Sequence, residues 1–460
     1  MTCEPVDVAV LGAGPAGLGA GLRLARAGRR VAVLEREARV GGLTASIDVA
    51  GVAVDHGSHR LHPAVPAPVL ATLRELLGDE LQVRPRRGRL LLADRWVDFP
   101  LRAGQLARTL PPGFAARAAV DAAVAAVRPT RHATFADHVV TGLGRTMGER
   151  FYFPYARKIW GMDPERLSGE QARRRIRAAT PTRLLAKVLA PPDAASRTFL
   201  YPAGGFGRIP EALARAARAA GAAIRLEAPA TGLRRDRDGW TVRTPAGDVR
   251  ARRVWSTLPV TVLARLLAGS GTPLPTAPDL GYRSMLLVYL VVRGDRYADA
   301  DAHYLPTPAT PVTRVSEPKN YRDGDDPPDR TVLCAEIPCA AGEDLWTAGD
   351  GALAEVAAGA LTGAGLPPPD VMATVVRRLR HAYPVYRVGY EEPWTRLVDA
   401  LDAVPELLTF GRQGLFAHDN THHALAMAWA AADCLGEDGS FDDDGWRAAR
   451  AGFASHVVED

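Results

Sequence analysis

Apolar runs alternate with glycine-rich turns at the start of the chain. Residues 6–11 (VDVAVL) and 31–34 (VAVL) predict two buried strands, and the alanine- and leucine-rich stretch from about residue 16 to 27 predicts a helix between them. This order is that of a βαβ unit, in which two parallel strands are joined by a helix. The pattern therefore predicts an α/β domain at this end of the chain.

The pattern changes further along the chain. Residues 101–127 are alanine-rich and predict helix, whereas the fully apolar run MLLVYLVV at 285–292 predicts a buried strand. Strand-like runs at 221–226, 239–244, 249–254 and 407–410 precede a helix of small residues that begins near residue 424. A length of 460 residues favours two or three domains, which can be interleaved in sequence.

Composition narrows the expected partners. Apolar residues make up 47% and charged residues 24% of the chain, as in ordinary globular proteins. The net charge of +5 is spread along the sequence, so we expect anionic small molecules rather than nucleic acid. The four cysteines show no metal-ligand spacing and the N-terminus lacks a basic leader, which predicts reduced thiols, no membrane span and a cytoplasmic location.

The first glycine turn carries the clearest chemistry. Gly12 permits a tight turn, Gly14 lets a pyrophosphate approach the backbone, and Gly17 lets the helix pack closely on the strand. The helix N-terminus then faces the anion. Glu35 ends the second strand, where a carboxylate accepts hydrogen bonds from an adenosine ribose. Together these features predict a dinucleotide site.

The residues after Glu35 favour FAD. Arg36 and the pair Gly41-Gly42 complete an E-R-x-x-x-x-G-G pattern, although Gly41-Gly42 alone is also compatible with an ordinary loop. With the glycine turn, this pattern resembles the start of the FAD-dependent clan of amine oxidases, protoporphyrinogen oxidases and UDP-galactopyranose mutases. In that clan the second glycine pair lies along the FAD diphosphate.

The far end of the chain supplies the matching half. The strand at 407–410 enters Gly411-Arg412, and HDNTHH at 418–423 precedes the small-residue helix. This resembles the clan's closing FAD motif, in which the glycine and arginine contact the diphosphate and the helix points at the flavin ring. The cofactor-binding residues that the resemblance implies are Gly12, Gly14, Pro15, Ala16, Gly17, Glu35, Arg36, Gly41, Gly42, Leu43, His59, Gly411, Arg412, Asn420 and Ala424.

The resemblance also implies an architecture. The expected fold class is α/β, with a Rossmann-like, three-layer FAD-binding domain of the GR2 type, a helical insertion and an antiparallel-sheet substrate domain. The FAD domain is expected at 1–62, 203–260 and 405–460, the mainly helical insertion at 63–202, and the substrate domain at 261–404.

Three histidines lie within the segment DHGSHRLH at 55–62. As a metal site this segment is poor because carboxylates are not placed at ligand positions, and no metal is expected. By resemblance, the segment passes the flavin and His59 faces the isoalloxazine ring. The alternative is that the loop backbone satisfies these histidines.

The stretch FYFPYARKIWGMDP at 151–164 is dense in aromatic residues, which suits a buried core, a platform for a flat ligand or a membrane-facing patch. Tyr155, Lys158 and Trp160, followed by Arg174, resemble the mutase substrate motif, and the segment TRVSEPKNY around Arg314 resembles a second one. The resemblance implies that Arg174 and Arg314 bind a diphosphate while Trp160 lies beside flavin and substrate. Taken singly, each arginine is better explained as a solvated surface charge.

One departure weakens the mutase resemblance. The mutase closing motif carries tyrosines that contact the substrate, and here those places hold Phe416 and His418. A phenylalanine forms no hydrogen bond with phosphate, although a histidine does.

Two functions therefore remain open. The first is a pyranose/furanose mutase-like isomerase of a nucleotide sugar, with N5 of reduced FAD as covalent catalyst; the second is an FAD-dependent oxidoreductase of an amine or a natural-product intermediate. A flavin-binding protein without catalysis is the third. The expected partners are a small-molecule substrate and a second copy of the chain in a homodimer. The catalytic candidates are His59, Trp160, Arg174, Arg314 and His418, and the substrate-contacting candidates are Tyr155, Trp160, Arg174, Arg314 and Phe416.

Overall fold

The apolar run Val6–Leu11 forms β1, an inner strand of a seven-stranded sheet in the computed structural model of the chain. β1 pairs in parallel with β2 (Val31–Leu34) on one side and with β12 (Val249–Ser256) on the other. The structure describes residues 4–458 apart from 64, 100, 102, 128–131, 177–196, 270–273 and 276–279, so the predicted thiol at Cys3 lies outside the described residues.

This first sheet combines three distant stretches of sequence. β9 (Ala223–Arg225) extends it beyond β2, and the antiparallel meander β10 (Gly232–Asp236), β11 (Gly239–Arg243) and β12 extends it on the other side. β18 (Leu407–Thr409) pairs in parallel with the C-terminal half of β12. Residues more than 400 positions apart therefore lie in one sheet.

The helices fill the stretches between strands. In chain order, the described α-helices are α1 (Pro15–Arg26), α2 (Ala67–Leu77), α3 (Ala103–Thr109), α4 (Pro112–Val127), α5 (Phe135–Leu143), α6 (Arg145–Met147), α7 (Phe153–Trp160), α8 (Gly169–Arg175), α9 (Arg208–Ala219), α10 (Val260–Ala268), α11 (Asp344–Thr347), α12 (Asp350–Gly363), α13 (Glu391–Asp402), α14 (Gly411–Gly414), α15 (Thr421–Asp433) and α16 (Asp443–Phe453). A π-helical turn, Gly148–Tyr152, leads into α7, and 3₁₀ turns lie at Gly42–Thr44, Gly78–Glu80 and Pro318–Tyr321.

Both faces of the first sheet are buried, which explains its nearly continuous apolar strands. Val8 and Val10 pack with α1, α9 and α15 on one face. Ala9 and Leu11 pack on the other face with α10, α13 and the aromatic ring of Trp240 from the meander. Successive side chains of a strand point to opposite faces, so β1 serves two cores at once.

A second sheet of seven strands lies beside the first. Its order is β17, β13, β16, β15, β14, β6 and β7, and its long inner pairs are antiparallel. The predicted strand at 285–292 lies within β13. The ranges are β6 (Gly88–Leu92), β7 (Arg95–Phe99), β13 (Tyr282–Arg293), β14 (Ala302–Tyr304), β15 (Arg314–Ser316), β16 (Arg330–Cys339) and β17 (Val371–Pro384).

Four further strands form two small ribbons: β3 (Ser46–Val49) with β4 (Val52–Asp55), and β5 (Leu81–Pro85) with β8 (Thr198–Pro202). The α/β fold class is confirmed. The stretch 63–202, expected to be mainly helical, also supplies β6 and β7 to the second sheet, because β6 pairs in parallel with β14. The domain bounds themselves stay predictions. None of the helices in the described ranges is both long and apolar enough to cross a bilayer.

Candidate active site

The glycine turn after β1 forms an open cradle at the N-terminus of α1. Gly12 has φ +99°, in the left-handed region that favours glycine. A Cβ on Gly17 would lie 1.9 Å from the carbonyl oxygen of Gly12, so only glycine fits there. Gly14 caps α1 and no side chain satisfies the first turn, formed by Pro15, Ala16 and Gly17. The backbone N–H groups of this turn are therefore available to an anion.

Two further loops meet this cradle. The Glu35 carboxylate is buried at the end of β2, where its Oε2 accepts a hydrogen bond from Ala13 N–H (2.8 Å). Gly41 N–H donates to the Ala13 carbonyl oxygen (2.8 Å), and a Cβ on Gly42 would lie 3.5 Å from Gly14 Cα. Glu35 at the end of β2 and the pair Gly41-Gly42 therefore both border the cradle at the N-terminus of α1.

The closing motif lies against the same cradle. Gly411 has φ +79°, and a Cβ there would lie 2.8 Å from the Ala16 Cβ. Asn420 caps α15, and the buried Ala424 lies at the start of that helix, which packs against α1. A close approach of Gly19 to Leu425 shows how tightly the two helices fit. Residues from both ends of the chain therefore enclose one cradle.

Arg412 is a partly buried cation without a carboxylate partner in the described part of the chain. Its Nη2 donates to the Ala382 carbonyl oxygen (2.9 Å), whereas its buried Nε has no partner. Its guanidinium lies 5.3 Å from the centre of the Tyr383 ring. Burial lowers the pKa of Arg412 below its usual value. Because a buried charge without a counter-ion is unfavourable, this site is suited to an anionic ligand.

The segment with the three histidines is fixed by hydrogen bonds. Asp55 accepts from the Ser46 hydroxyl (2.6 Å), the Tyr201 hydroxyl (2.6 Å) and the Phe206 N–H (2.9 Å). His59 Nε2 donates to the Leu43 carbonyl oxygen (2.9 Å), and burial lowers the pKa of His59 to about 4. A neutral His59 is therefore held beside the second glycine loop.

Arg314 already holds a carboxylate. Its Nη2 lies 2.7 and 2.9 Å from the two carboxylate oxygens of Glu336, and its Nε donates to Oε1 (3.0 Å). Glu336 is buried in β16 and also accepts from Ser58 N–H (2.7 Å). Although burial alone would lower it, the Glu336 charge raises the pKa of Arg314 well above its usual value. The expected diphosphate contact of Arg314 therefore competes with an internal ion pair.

An aromatic and cationic pocket surrounds His418. The His418 ring lies 5.1 Å from Trp160 and 5.1 Å from Tyr386, both edge-on. The amide nitrogen of Gln171 lies 2.8 Å from His418 Nε2. Burial, together with Arg175 and Arg412, lowers the pKa of His418 well below its usual value. His418 is therefore a neutral ring within a positively charged surrounding.

Two neighbouring arginines of α8 differ in their partners. Arg174 is buried and pairs with Glu170 (2.7 Å), leaving its Nη1 without a partner. The Arg175 guanidinium instead lies 5.5 Å from the Trp160 ring and 5.4 Å from the Tyr383 ring. Arg174, Arg175 and Arg412 all contribute to the field at His418.

The family comparison agrees with this geometry. The family model for flavin-containing amine oxidoreductases matches residues 15–422. The chain belongs to this family. Its members are flavoenzymes, and this chain is an FAD-dependent enzyme of the same kind.

Individual relatives indicate the fold rather than the reaction. The chain is 46% identical to the putrescine oxidase of Kocuria rosea over 82 residues, which is 18% of this chain and 17% of that protein. A structure of reduced UDP-galactopyranose mutase covers 99% of this chain and 100% of its own, with 20% identity and a TM-score of 0.82. Cyclohexylamine oxidase from Brevibacterium oxydans covers 98% and 99%, with 18% identity and a TM-score of 0.65.

The flavoenzyme's own residues fit FAD. The uncapped turn at Gly14, the carboxylate of Glu35 and the partly buried cation of Arg412 provide donors for a diphosphate and an acceptor for a ribose. Arg36 does not join them: its side chain is 70% exposed and pairs with Glu37 (3.0 Å). The structure thus gives the Arg36 assignment no support.

Two expected substrate contacts serve packing in this flavoenzyme. Phe416 is almost fully buried among Tyr282, Tyr386 and Trp394, and its φ is +48°. Tyr155 stacks on Phe151 with ring centres 6.0 Å apart. Both are held by aromatic neighbours.

Lys158, in the same motif as Tyr155, donates to the carbonyl oxygens of Leu305 (2.6 Å) and Val312 (2.8 Å). Burial lowers the pKa of Lys158 to about 7. Lys158 therefore ties the loop between β14 and β15 to α7, the helix that ends at Trp160.

A His-His-Asp group beside the pocket resembles a metal site but lacks the required geometry. Asp419 Oδ1 lies 3.2 Å from His423 Nδ1 and 3.0 Å from His456 Nδ1. The two rings stack 4.0 Å apart at 13°, so their in-plane lone pairs run nearly parallel and do not converge on one ion. The group instead connects residue 456 to the site.

Several residues of the site were missed in the sequence. Glu336 carried a signal, because it is the one charged residue inside the apolar run TVLCAEIPC. Gln171 and Arg175 carried none that separates them from the many surface residues of their type. Their roles depend on contacts between α8, β17 and the loop before α15.

Proposed function

We propose that this flavoenzyme binds a nucleotide sugar and interconverts its pyranose and furanose forms without net oxidation. The observation that supports the proposal is the cationic pocket of Arg174, Arg175 and Arg412 around the neutral His418. Guanidinium groups match the oxygens of a diphosphate, and the faces of Trp160 and Tyr383 suit a base or a sugar.

The same pocket argues against a protonated amine as substrate. Like charges within a partly desolvated site repel one another, and an amine would lie near three guanidinium groups. Of these, only Arg174 has a carboxylate partner among the described residues, namely Glu170. An anionic substrate, in contrast, would offset the field of Arg175, while the FAD diphosphate would offset that of Arg412.

Each protein group has a defined task in this proposal. Reduced FAD, when bound, supplies the nucleophilic N5 atom. Arg174 and Arg175 hold the diphosphate of the substrate, the aromatic rings orient the sugar and exclude water, and His418 stays uncharged beside them. No protein nucleophile is required.

The second candidate is an oxidoreductase acting on an anionic or neutral natural-product intermediate, or on an amine. The observation that favours it is the place of Phe416 and His418, where the mutase motif carries substrate-contacting tyrosines. Phe416 lies in the apolar core, and His418 carries no charge. A cytoplasmic location and a homodimer remain part of the proposal for either function.

Purified holoenzyme separates the two functions. Under anaerobic conditions, dithionite-reduced enzyme is incubated with UDP-galactopyranose, and the furanose form is measured by chromatography. The mutase proposal predicts furanose formation with reduced but not with oxidised enzyme. Hydrogen peroxide released in proportion to a consumed amine or alcohol, with no isomerisation, would establish the oxidoreductase instead.

A further inference from the structure

The two arginines that the motifs favour as substrate ligands already form ion pairs. Arg174 pairs with Glu170 and Arg314 pairs with Glu336. Arg175 is partly buried on the same helix as Arg174 and makes no ion pair with any described residue. Arg412 is in the same situation, with one backbone carbonyl as its hydrogen-bond acceptor.

Arg175 and Arg412 border one aromatic ring. Their guanidinium carbons lie 5.4 and 5.3 Å from the centre of Tyr383, and Arg175 also lies 5.5 Å from Trp160. Contact with aromatic rings orients a guanidinium but does not neutralise it. Two cations held at one ring repel each other unless an anion lies between or beside them.

We propose that Arg175 is a specificity-determining residue that binds the anionic group of the substrate, while the neighbouring Arg412 faces the FAD diphosphate. The proposal deepens the proposed function, on which it rests for the identity of the anion. Trp160 and Tyr383 hold the Arg175 fork in place before the ligand arrives, which reduces the entropy lost on binding. Arg314, by contrast, stays paired with the Glu336 carboxylate.

The position of Arg175 on α8 supports this role. Two hydrogen bonds fix α8 to its surroundings: Tyr386 N–H donates to the side-chain Oε1 of Gln171 (2.9 Å), and Val458 N–H donates to the Arg174 carbonyl oxygen (2.9 Å). A side chain on such a rigid support can hold a ligand group precisely enough for selection. Arg173, two residues before Arg175, is exposed and pairs with Glu170.

The test measures UDP and uridine binding to oxidised holoenzyme by calorimetry, which requires no turnover. Arg175→Gln is expected to weaken UDP binding by about 10- to 100-fold while leaving uridine binding unchanged, because a charge-assisted contact is lost. Arg175→Lys keeps the positive charge but lacks the forked guanidinium group, so its affinity for UDP is expected to lie between those of the wild type and Arg175→Gln. The matched control is Arg157→Gln on α7, an exposed arginine that pairs with Asp163 outside the pocket.

The outcomes are distinct. If Arg175→Gln and Arg175→Lys both retain FAD and bind UDP as tightly as the wild type, the proposal is overturned. If wild-type enzyme ignores UDP but binds inorganic pyrophosphate in a manner that depends on Arg175, the nucleotide-sugar function fails while the Arg175 site stands. If the wild type binds neither probe, the Arg175 proposal is also wrong. Should Arg175→Gln lose FAD, Arg175→Lys alone decides between these outcomes.

Discussion

Arg314 and Glu336 form a buried ion pair in which one guanidinium nitrogen contacts both carboxylate oxygens, at 2.7 and 2.9 Å. Glu336 also accepts a hydrogen bond from the backbone of Ser58, so the pair ties the second sheet to the segment with the three histidines. Arg314 therefore stabilises the fold, and a ligand that contacts Arg314 has to compete with Glu336 for it.

Arg314→Met is expected to destabilise the protein by about 3 kcal/mol, because it leaves the Glu336 charge buried and unpaired. The double variant Arg314→Met/Glu336→Met removes both charges and is expected to recover most of that loss. Urea denaturation of all three proteins measures the difference. An Arg314→Met protein that is as stable as the wild type but binds UDP more weakly would contradict this prediction and would show that Arg314 contacts the substrate.

His59→Gln is expected to change the pH dependence of stability. The pKa of His59 is about 4 in the folded protein, below the ordinary value of about 6.5. The unfolded chain thus binds this proton first, and the stability of the folded state falls as the pH falls from 6.5 towards 4. Melting temperatures at about pH 7.5 and about pH 5 should differ less in the variant than in the wild type.

Other buried histidines, such as His138 and His303 with pKa values of about 4, act in the same direction. The comparison between wild type and His59→Gln isolates one histidine from this shared effect. Equal pH slopes in the two proteins would show that His59 titrates as it does in water.

Glu35→Ala is expected to weaken FAD binding by about 10- to 100-fold, because it removes an acceptor for the ribose and a partner of Ala13 N–H. The exposed Glu37→Ala is the matched control, since the Glu37 side chain forms its ion pair at the surface, with Arg36. FAD retained after gel filtration, together with fluorescence titration of the apoprotein, gives both affinities. Retention equal to that of the control would remove Glu35 from the cofactor site.

Gly17→Ala is expected to abolish FAD binding and to destabilise the fold by more than about 3 kcal/mol, because its Cβ would overlap the Gly12 carbonyl oxygen. Gly113→Ala in α4 has no atom within 4 Å of the new Cβ and is expected to leave both properties intact. The flavin absorption and melting temperature of the two purified variants test the contrast. A yellow, stable Gly17→Ala protein would contradict the close strand–helix packing.

The FAD end of the site was predictable from the sequence because its chemistry depends on local backbone geometry. Gly12, Gly17 and Gly41 are required where φ is positive or where two backbones nearly touch, and such needs leave a fixed spacing of glycines. The α/β fold followed from the same spacing and from apolar strands buried on both faces.

The substrate end was less predictable because its residues act through partners distant in sequence. Arg174 is paired because Glu170 lies beside it, and Arg314 is paired because Glu336 does. The sequence motif around each arginine does not indicate these partners. Phe416 matched a substrate position in the motif, yet its surroundings in the core come from β13 and α13.

The three-part first sheet has a consequence for biosynthesis. β1 leaves the ribosome early, but β18 and Arg412 follow about 400 residues later, on the order of 20 to 80 s at usual translation rates. Until then, β12 has an open edge along its last residues and the diphosphate site lacks its partly buried cation. The cofactor is therefore expected to bind after synthesis rather than during it, and the edge of β12 stays unpaired in the nascent chain until β18 emerges.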